Sequence, residues 1–155
     1  GTTADGALLT NTAAASYESA AGKFPTFWVS YLASTNVLVS TPQIILQKVA
    51  NPFETPSGGT VTFRLWMINT SIMATAFNVT LTDRLPDMME NLVASYVSWN
   101  GGSGGTFTAT NSSNNSTWNA GSPGAGQDAP YYLRWVLSQL GPGRSAFVEF
   151  TARVL

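Results

Sequence analysis

Apolar and polar residues alternate with a spacing of two along most of the chain, the pattern of strands whose successive side chains point to opposite faces of a sheet. The longest such run sets Ala7, Leu9, Asn11, Ala13, Ala15 and Tyr17 against Leu8, Thr10, Thr12, Ala14, Ser16 and Glu18. It predicts a long amphipathic strand, and Ser19 to Lys23 reads as the turn that follows it. Phe27, Val29 and Tyr31 then oppose Trp28, Ser30 and Leu32, and a separate short strand is expected over residues 35–40, ahead of Pro42.

From Ile44 onward the alternation is denser. Val61, Phe63, Leu65 and Met67 define an apolar face opposite Thr62, Arg64, Trp66 and Ile68. A free-standing sandwich leaves that second face polar, so Trp66 and Ile68 call for a cover, expected from the N-terminal hairpin or another subunit. Phe77, Val79 and Leu81 alternate with Asn78, Thr80 and Thr82. Residues 92–99 read as a strand, the glycines of residues 100–105 as a hairpin turn, and residues 106–111 as the returning strand. Leu133, Trp135 and Leu137 alternate with Arg134 and Val136, and Val148, Phe150, Ala152 and Val154 form the inner face of the last strand. Residues 111–129 are rich in Asn, Ser, Gly and Pro and read as a loop-like polar insertion. The best helical candidate, residues 86–95, supports at most one turn. These elements predict an all-β protein: an Ig-like antiparallel β-sandwich over residues 44–155, preceded by an N-terminal strand and hairpin over residues 1–43 that includes a candidate donor strand at 6–18.

Within residues 44–155 a series of motifs recurs in a recognisable order: Lys48 on the first strand, a Pro/Gly turn, a strand ending in Asn69-Thr70, the corner Thr82-Asp83-Arg84-Leu85-Pro86, and Leu140-Gly141-Pro142-Gly143 before the last strand. The order resembles the bacterial and archaeal cell-surface repeat known as domain of unknown function eleven, over about two thirds of the chain. The resemblance implies a surface location and a sandwich architecture, and names no reaction. Residues 4–39 also resemble the segment that flanks such repeats in secreted multi-domain proteins.

Composition narrows the function classes. Only 10% of residues are charged, against about 25% in an average soluble domain, so solubility rests on hydroxyls and amides. The net charge of −1 and the scattered basic residues give no footprint for nucleic acid. No run approaches the roughly 20 apolar residues of a membrane span. The polar start at Gly1, without an initiator Met, is expected of a mature chain whose secretory leader has been removed. The chain has no Cys and no His, so it cannot by itself build disulfides, Ser-His-Asp triads or His-ligated zinc sites.

The remaining candidate chemistry is sparse. Asp83, Asp87 and Glu90 lie close in sequence, where two acids could do glycosidase work. The simpler expectation is that Asp83 binds backbone amides at its strand end and Asp87 caps a turn. In some surface sandwiches a first-strand Lys forms an amide with a last-strand Asn, but residues 146–154 offer Glu149 and no Asn or Asp. The Lys48 stem is therefore expected along the sandwich edge with its ammonium in water. No calcium-loop pattern is present, and no cofactor or metal is expected. Trp118, in the polar insertion, is the Trp most free to meet a sugar. Asn69, Asn78, Asn111, Asn114 and Asn115 each open a glycosylation sequon, with Asn78 and the insertion trio expected at the surface.

The leading expectation is a structural, non-enzymatic subunit of an extracellular filament or pilus, a homopolymer in which the strand bearing Ala7, Leu9, Asn11, Ala13, Ala15 and Tyr17 completes a neighbour's sandwich. The alternative is a monomeric surface adhesive or carbohydrate-binding module that folds the hairpin onto its own sandwich.

Overall fold

A computed structural model of the chain describes residues 6–18, 28–91, 97–102, 104–121, 127–128 and 131–155. The turn expected at residues 19–23 lies outside them, as do residues 92–96 of the strand expected at 92–99. The chain divides into two compact units, Gly1–Ser40 and Thr41–Leu155.

The first unit is a two-stranded antiparallel ribbon. β1 (Leu8–Glu18) pairs with β2 (Trp28–Leu38) from Leu8↔Leu38 to Glu18↔Trp28. Bonds from Gly6 N to Val39 O and from Val39 N to Ala7 O, each 2.8 Å, extend the ladder. The two short segments expected at residues 27–32 and 35–40 are joined in one continuous strand, Trp28–Leu38, which ends before residues 39–40. No Gly or Pro interrupts residues 28–38, so nothing in the backbone ends the strand between them.

The second unit contains β3 (Ile44–Asn51), β4 (Thr60–Asn69), β5 (Ala76–Leu85), β6 (Met89–Asn91), β7 (Val97–Trp99), β8 (Phe107–Ser112), β9 (Asn119–Ala120), β10 (Gln127–Asp128), β11 (Tyr131–Leu140) and β12 (Ser145–Val154). One sheet runs β10-β6-β12-β4-β3, with β7 also paired to β12, and the other runs β5-β11-β8-β9. Every pairing is antiparallel, so the unit is an antiparallel β-sandwich. Its core takes Val61, Phe63, Leu65 and Met67 from β4 and Ala146, Val148, Phe150 and Ala152 from β12. From the facing sheet come Leu81 and Leu85 of β5 and Leu133, Trp135 and Leu137 of β11. Trp135 stacks on Phe150 across the layers at 5.9 Å. Each such large side chain contributes about 1.5–3 kcal/mol on burial, which makes this interleaved layer the main stabilising element.

Three local expectations are corrected. Residues 86–95 contribute no helical turn among the described residues. Met89–Asn91 is instead a short strand against β12, because its extended backbone gains ladder partners that an isolated turn would lack. The glycine-rich residues 100–105 are not a hairpin turn, since β7 pairs with β12 while β8 pairs with β11 in the other sheet. They carry the chain between sheets at close quarters: a Cβ on Gly101 would lie 2.0 Å from Ser145 O, and one on Gly105 2.3 Å from Gln139 O. Phe77 does not share the inner face of Leu81 but is 67% exposed. Asn78 adopts φ 52°, and the β5–β11 register has no Asn78–Ser138 pair between Val79↔Leu137 and Phe77↔Gln139. The buried parity shifts there on both strands, turning Ala76 and Leu140 inward and Phe77 outward.

Candidate functional site

The sequence motifs prove to be two fasteners. Lys48 on β3 reaches across the open rim of the sandwich to Asp83 on β5, with Nζ at 2.8 Å from Oδ1 and 2.7 Å from Oδ2. The ammonium also stands 4.8 Å from the centre of the Phe63 ring. This corrects both earlier expectations, an ammonium left in water and an Asp83 bound to backbone amides: the two groups compensate each other at the rim. Because Lys48 is 38% exposed, the pair is partly screened, and a double-mutant cycle of Lys48→Met and Asp83→Asn in urea should give a coupling of about 1 kcal/mol. A coupling indistinguishable from zero would show that the bridge does not tie the sheets.

Asn69 is the second fastener, fully buried at the end of β4. Its Nδ2 donates to the carbonyls of Ala74 (2.8 Å), Leu140 (3.0 Å) and Gly141 (3.2 Å). Its Oδ1 accepts from Gln43 N (3.3 Å) and Ser71 N (3.1 Å). A single side chain thus joins the start of β3, the loop after β4 and the Gly-Pro-Gly turn before β12.

The acidic residues are separated rather than pooled. Asp83 belongs to Lys48, Asp87 accepts from Arg84 at 2.8 Å, and Glu90 contacts Arg153. Each carboxylate has its own cation, an arrangement that compensates charge and leaves no acid pair facing a shared space among the described residues. Tyr131, whose phenol is raised above its ordinary pKa by burial, donates to Asn111 Oδ1 at 2.8 Å.

The outer face of the first sheet carries an aromatic cluster. Trp66 lies 4.9 Å from Phe147 and 6.3 Å from Trp99 between ring centres. The Arg64 guanidinium sits over Phe147 at 4.7 Å while pairing with Glu149 at 2.6 Å. Trp66, for which a cover was expected from the N-terminal hairpin or another subunit, is half-buried and packs against side chains of its own sheet. Ile68 is half-buried beside Ile45 and Ser145 in the register. A cavity of about 340 Å³ opens next to Trp66, lined also by Val49, Asn51, Thr62, Arg64 and Glu149.

The insertion at 111–129 is less loop-like than expected, since Asn111 and Ser112 end β8 and Asn119–Ala120 returns against it as β9. Trp118 is not free: the Arg134 guanidinium stacks 4.0 Å from its ring, and Arg134 also donates to Thr110 Oγ1. Two sequons are corrected as well. Asn69 and Asn111 are buried, and the Nδ2 of each, where a glycan would attach, is spent on backbone carbonyls, that of Gly121 in the case of Asn111. Asn78, Asn114 and Asn115 are exposed.

Among the described residues, two elements carry exposed large apolar side chains in a group. On the ribbon, Leu8 (62%), Leu9 (51%), Leu32 (76%), Val37 (58%) and Leu38 (45%) are exposed. Ala7 is half-buried, Asn11, Ala13 and Ala15 are exposed, and the Tyr17 side chain lies outside the described residues. The odd face pairs Leu9 with Val37 and Ala13 with Ala33, while the even face carries Thr10 bonded to Asn36 at 2.8 Å. The odd face is therefore the more apolar. The second element is β3, at the end of its sheet, with Ile44, Ile45, Leu46 and Val49 all exposed. These four were not singled out from the sequence. Their signal was the unalternated run of residues 44–46, a mark of a strand meant to be covered on both faces.

The fold and these surfaces define a β-sandwich carrying a separate, apolar β-ribbon. No protein-family model, curated protein or solved structure matches the chain. No helix among the described residues is long and apolar enough to cross a membrane.

Proposed function

We propose that the chain is a structural subunit of an extracellular filament or pilus, polymerising as a homopolymer through β-strand addition of its N-terminal segment to a neighbouring copy. The observation that carries this reading is the ribbon itself: a compact unit of two strands with large apolar side chains exposed. A two-stranded hairpin is marginal in water unless it joins a larger sheet. Neither Leu8 to Ala15 nor Leu32 to Leu38 contains a charge, and natural edges that must stay single usually carry one. The surface location draws on the resemblance to the cell-surface repeat, the low charge and the exposed sequons at Asn78, Asn114 and Asn115, which are candidate sites for surface glycans.

The alternative reading, a monomeric adhesive or carbohydrate-binding module, is favoured by one feature, the cavity beside Trp66 with its Arg64–Glu149 pair and Thr62 hydroxyl. A sugar would find there an aromatic ring and planar polar groups together.

The two readings separate at Leu9. Leu9→Asp and Thr10→Asp both substitute exposed positions of the ribbon. A carboxylate at 9 would be buried on assembly at a cost of several kcal/mol, whereas one at 10 would face outward. Electron micrographs of the two variants should show filaments for Thr10→Asp and few or none for Leu9→Asp. Equal effects would mean that the odd face is not the docking face.

A further inference from the structure

We infer that the receiving site for this strand is the free edge of β3, and that its occupant is β1 of a second copy of the chain. The inference rests on the filament reading and adds the partner surface. Among the described residues the sheets of the sandwich end at five strands, β10, β7 and β3 in one and β5 and β9 in the other. β9 and β10 are two residues each and β7 three, too short to template a long partner. β5 is long, but Asn78 at φ 52° breaks its extended edge and Arg84 places a charge on it. Kinks and charges of this kind are how proteins blunt an edge.

β3 lacks both devices. Its eight residues are extended without Gly or Pro. Its single charge, Lys48, shares the inner parity of Ile44 and Leu46 and is compensated by Asp83 across the rim. Ile44 and Leu46 pair in register with buried Asn69 and Met67 on the inner face, yet they are 41% and 55% exposed. The core layer is open along this rim. Ile45 and Val49 leave the outer face equally uncovered at 48% and 52%. A strand added beside β3 would close both faces at once.

β1 has the matching pattern. Thr10 and Thr12 share one side with Leu8 and Ala14, and Leu9, Ala13 and Ala15 share the other with Asn11; the small alanines of this second side suit entry between sheets about 10 Å apart. β2 carries two large apolar residues, Leu32 and Leu38, on the face of Ser34 and Asn36, where β1 has Leu8 alone.

The absence of Cys makes the test clean. Full-length single-cysteine variants, Thr12→Cys on β1, Gln47→Cys on β3 and Thr80→Cys on β5, are each assembled in pairs and treated with a short bismaleimide. The expected result is a covalent dimer from the Thr12→Cys and Gln47→Cys mixture, at least tenfold above the Thr12→Cys and Thr80→Cys mixture. If filaments form but the β5 pair links as well or better, or the β3 pair does not link, the β3 edge is wrong while strand-exchange polymerisation stands. If no filaments form, and Thr12→Cys links to Gln47→Cys only within one doubly substituted chain, the ribbon serves its own sandwich and both readings fall.

Discussion

A chain lacking residues 1–40 will fold and will not polymerise. The core of the sandwich is drawn from residues 61–152, and the fasteners at Lys48–Asp83 and Asn69 lie wholly within the second unit. Removing the ribbon therefore deletes no core contact named here, and far-UV circular dichroism and the thermal midpoint of the truncated protein should stay close to those of the full chain. Assembly loses its adhesive element. Five large apolar side chains of the ribbon are exposed, and burying even two of them stabilises an interface by about 3–6 kcal/mol. Each 1.4 kcal/mol is a factor of about ten in an equilibrium constant, so the critical concentration should rise at least about a hundredfold. Sedimentation and electron microscopy measure this directly. Filaments of the truncated chain at the original concentration would remove the ribbon from any role in assembly.

The second large effect is on stability, at Asn69. Asn69→Leu fills nearly the same space but takes the Nδ2 donor from the carbonyls of Ala74 and Leu140 and the Oδ1 acceptor from the amides of Gln43 and Ser71, while Gly141 O keeps its bond from Arg144 N. Groups left without a partner cost about 1–3 kcal/mol each when buried, and some relax toward water at the sandwich end. The expected loss is about 3–5 kcal/mol in urea unfolding, against less than about 0.5 kcal/mol for Asn119→Ala at an exposed position. A loss below about 1 kcal/mol would mean that the loops around Asn69 hold themselves. The same side chain shows a sequon whose amide nitrogen is turned inward, its two N–H groups directed at the carbonyls of Ala74, Leu140 and Gly141.

Both predictions turn on how far local pattern reaches. The inner faces of β4, β11 and β12 were legible because a buried strand must alternate, and Leu65, Trp135 and Val148 sit at the expected parity. The break at Asn78 was not, because a left-handed residue opposite Ser138 changes parity without changing composition. Trp66 stood out as apolar on an outer face, but its ring neighbours there, Phe147 and Trp99, lie 81 and 33 residues farther along the chain. Trp118 and Asn111 looked free because their stretch is polar, and a polar stretch can still fold back as β8 and β9.

The sequence by itself determined that this protein is all-β, where most of its strands run and which face of β4, β11 and β12 carries the core, because a period of two is a property of neighbouring residues. Only the tertiary structure decided which strands share a sheet, that the glycines at 100–105 change sheets, that Lys48 answers Asp83 and Asn69 answers the turn at 140–141. It also decided that β3 and the ribbon keep apolar faces uncovered. Alternation reports that a strand has two faces, while what lies against each face is fixed by residues tens of positions away, whose approach is set by hydrogen-bond registry and packing.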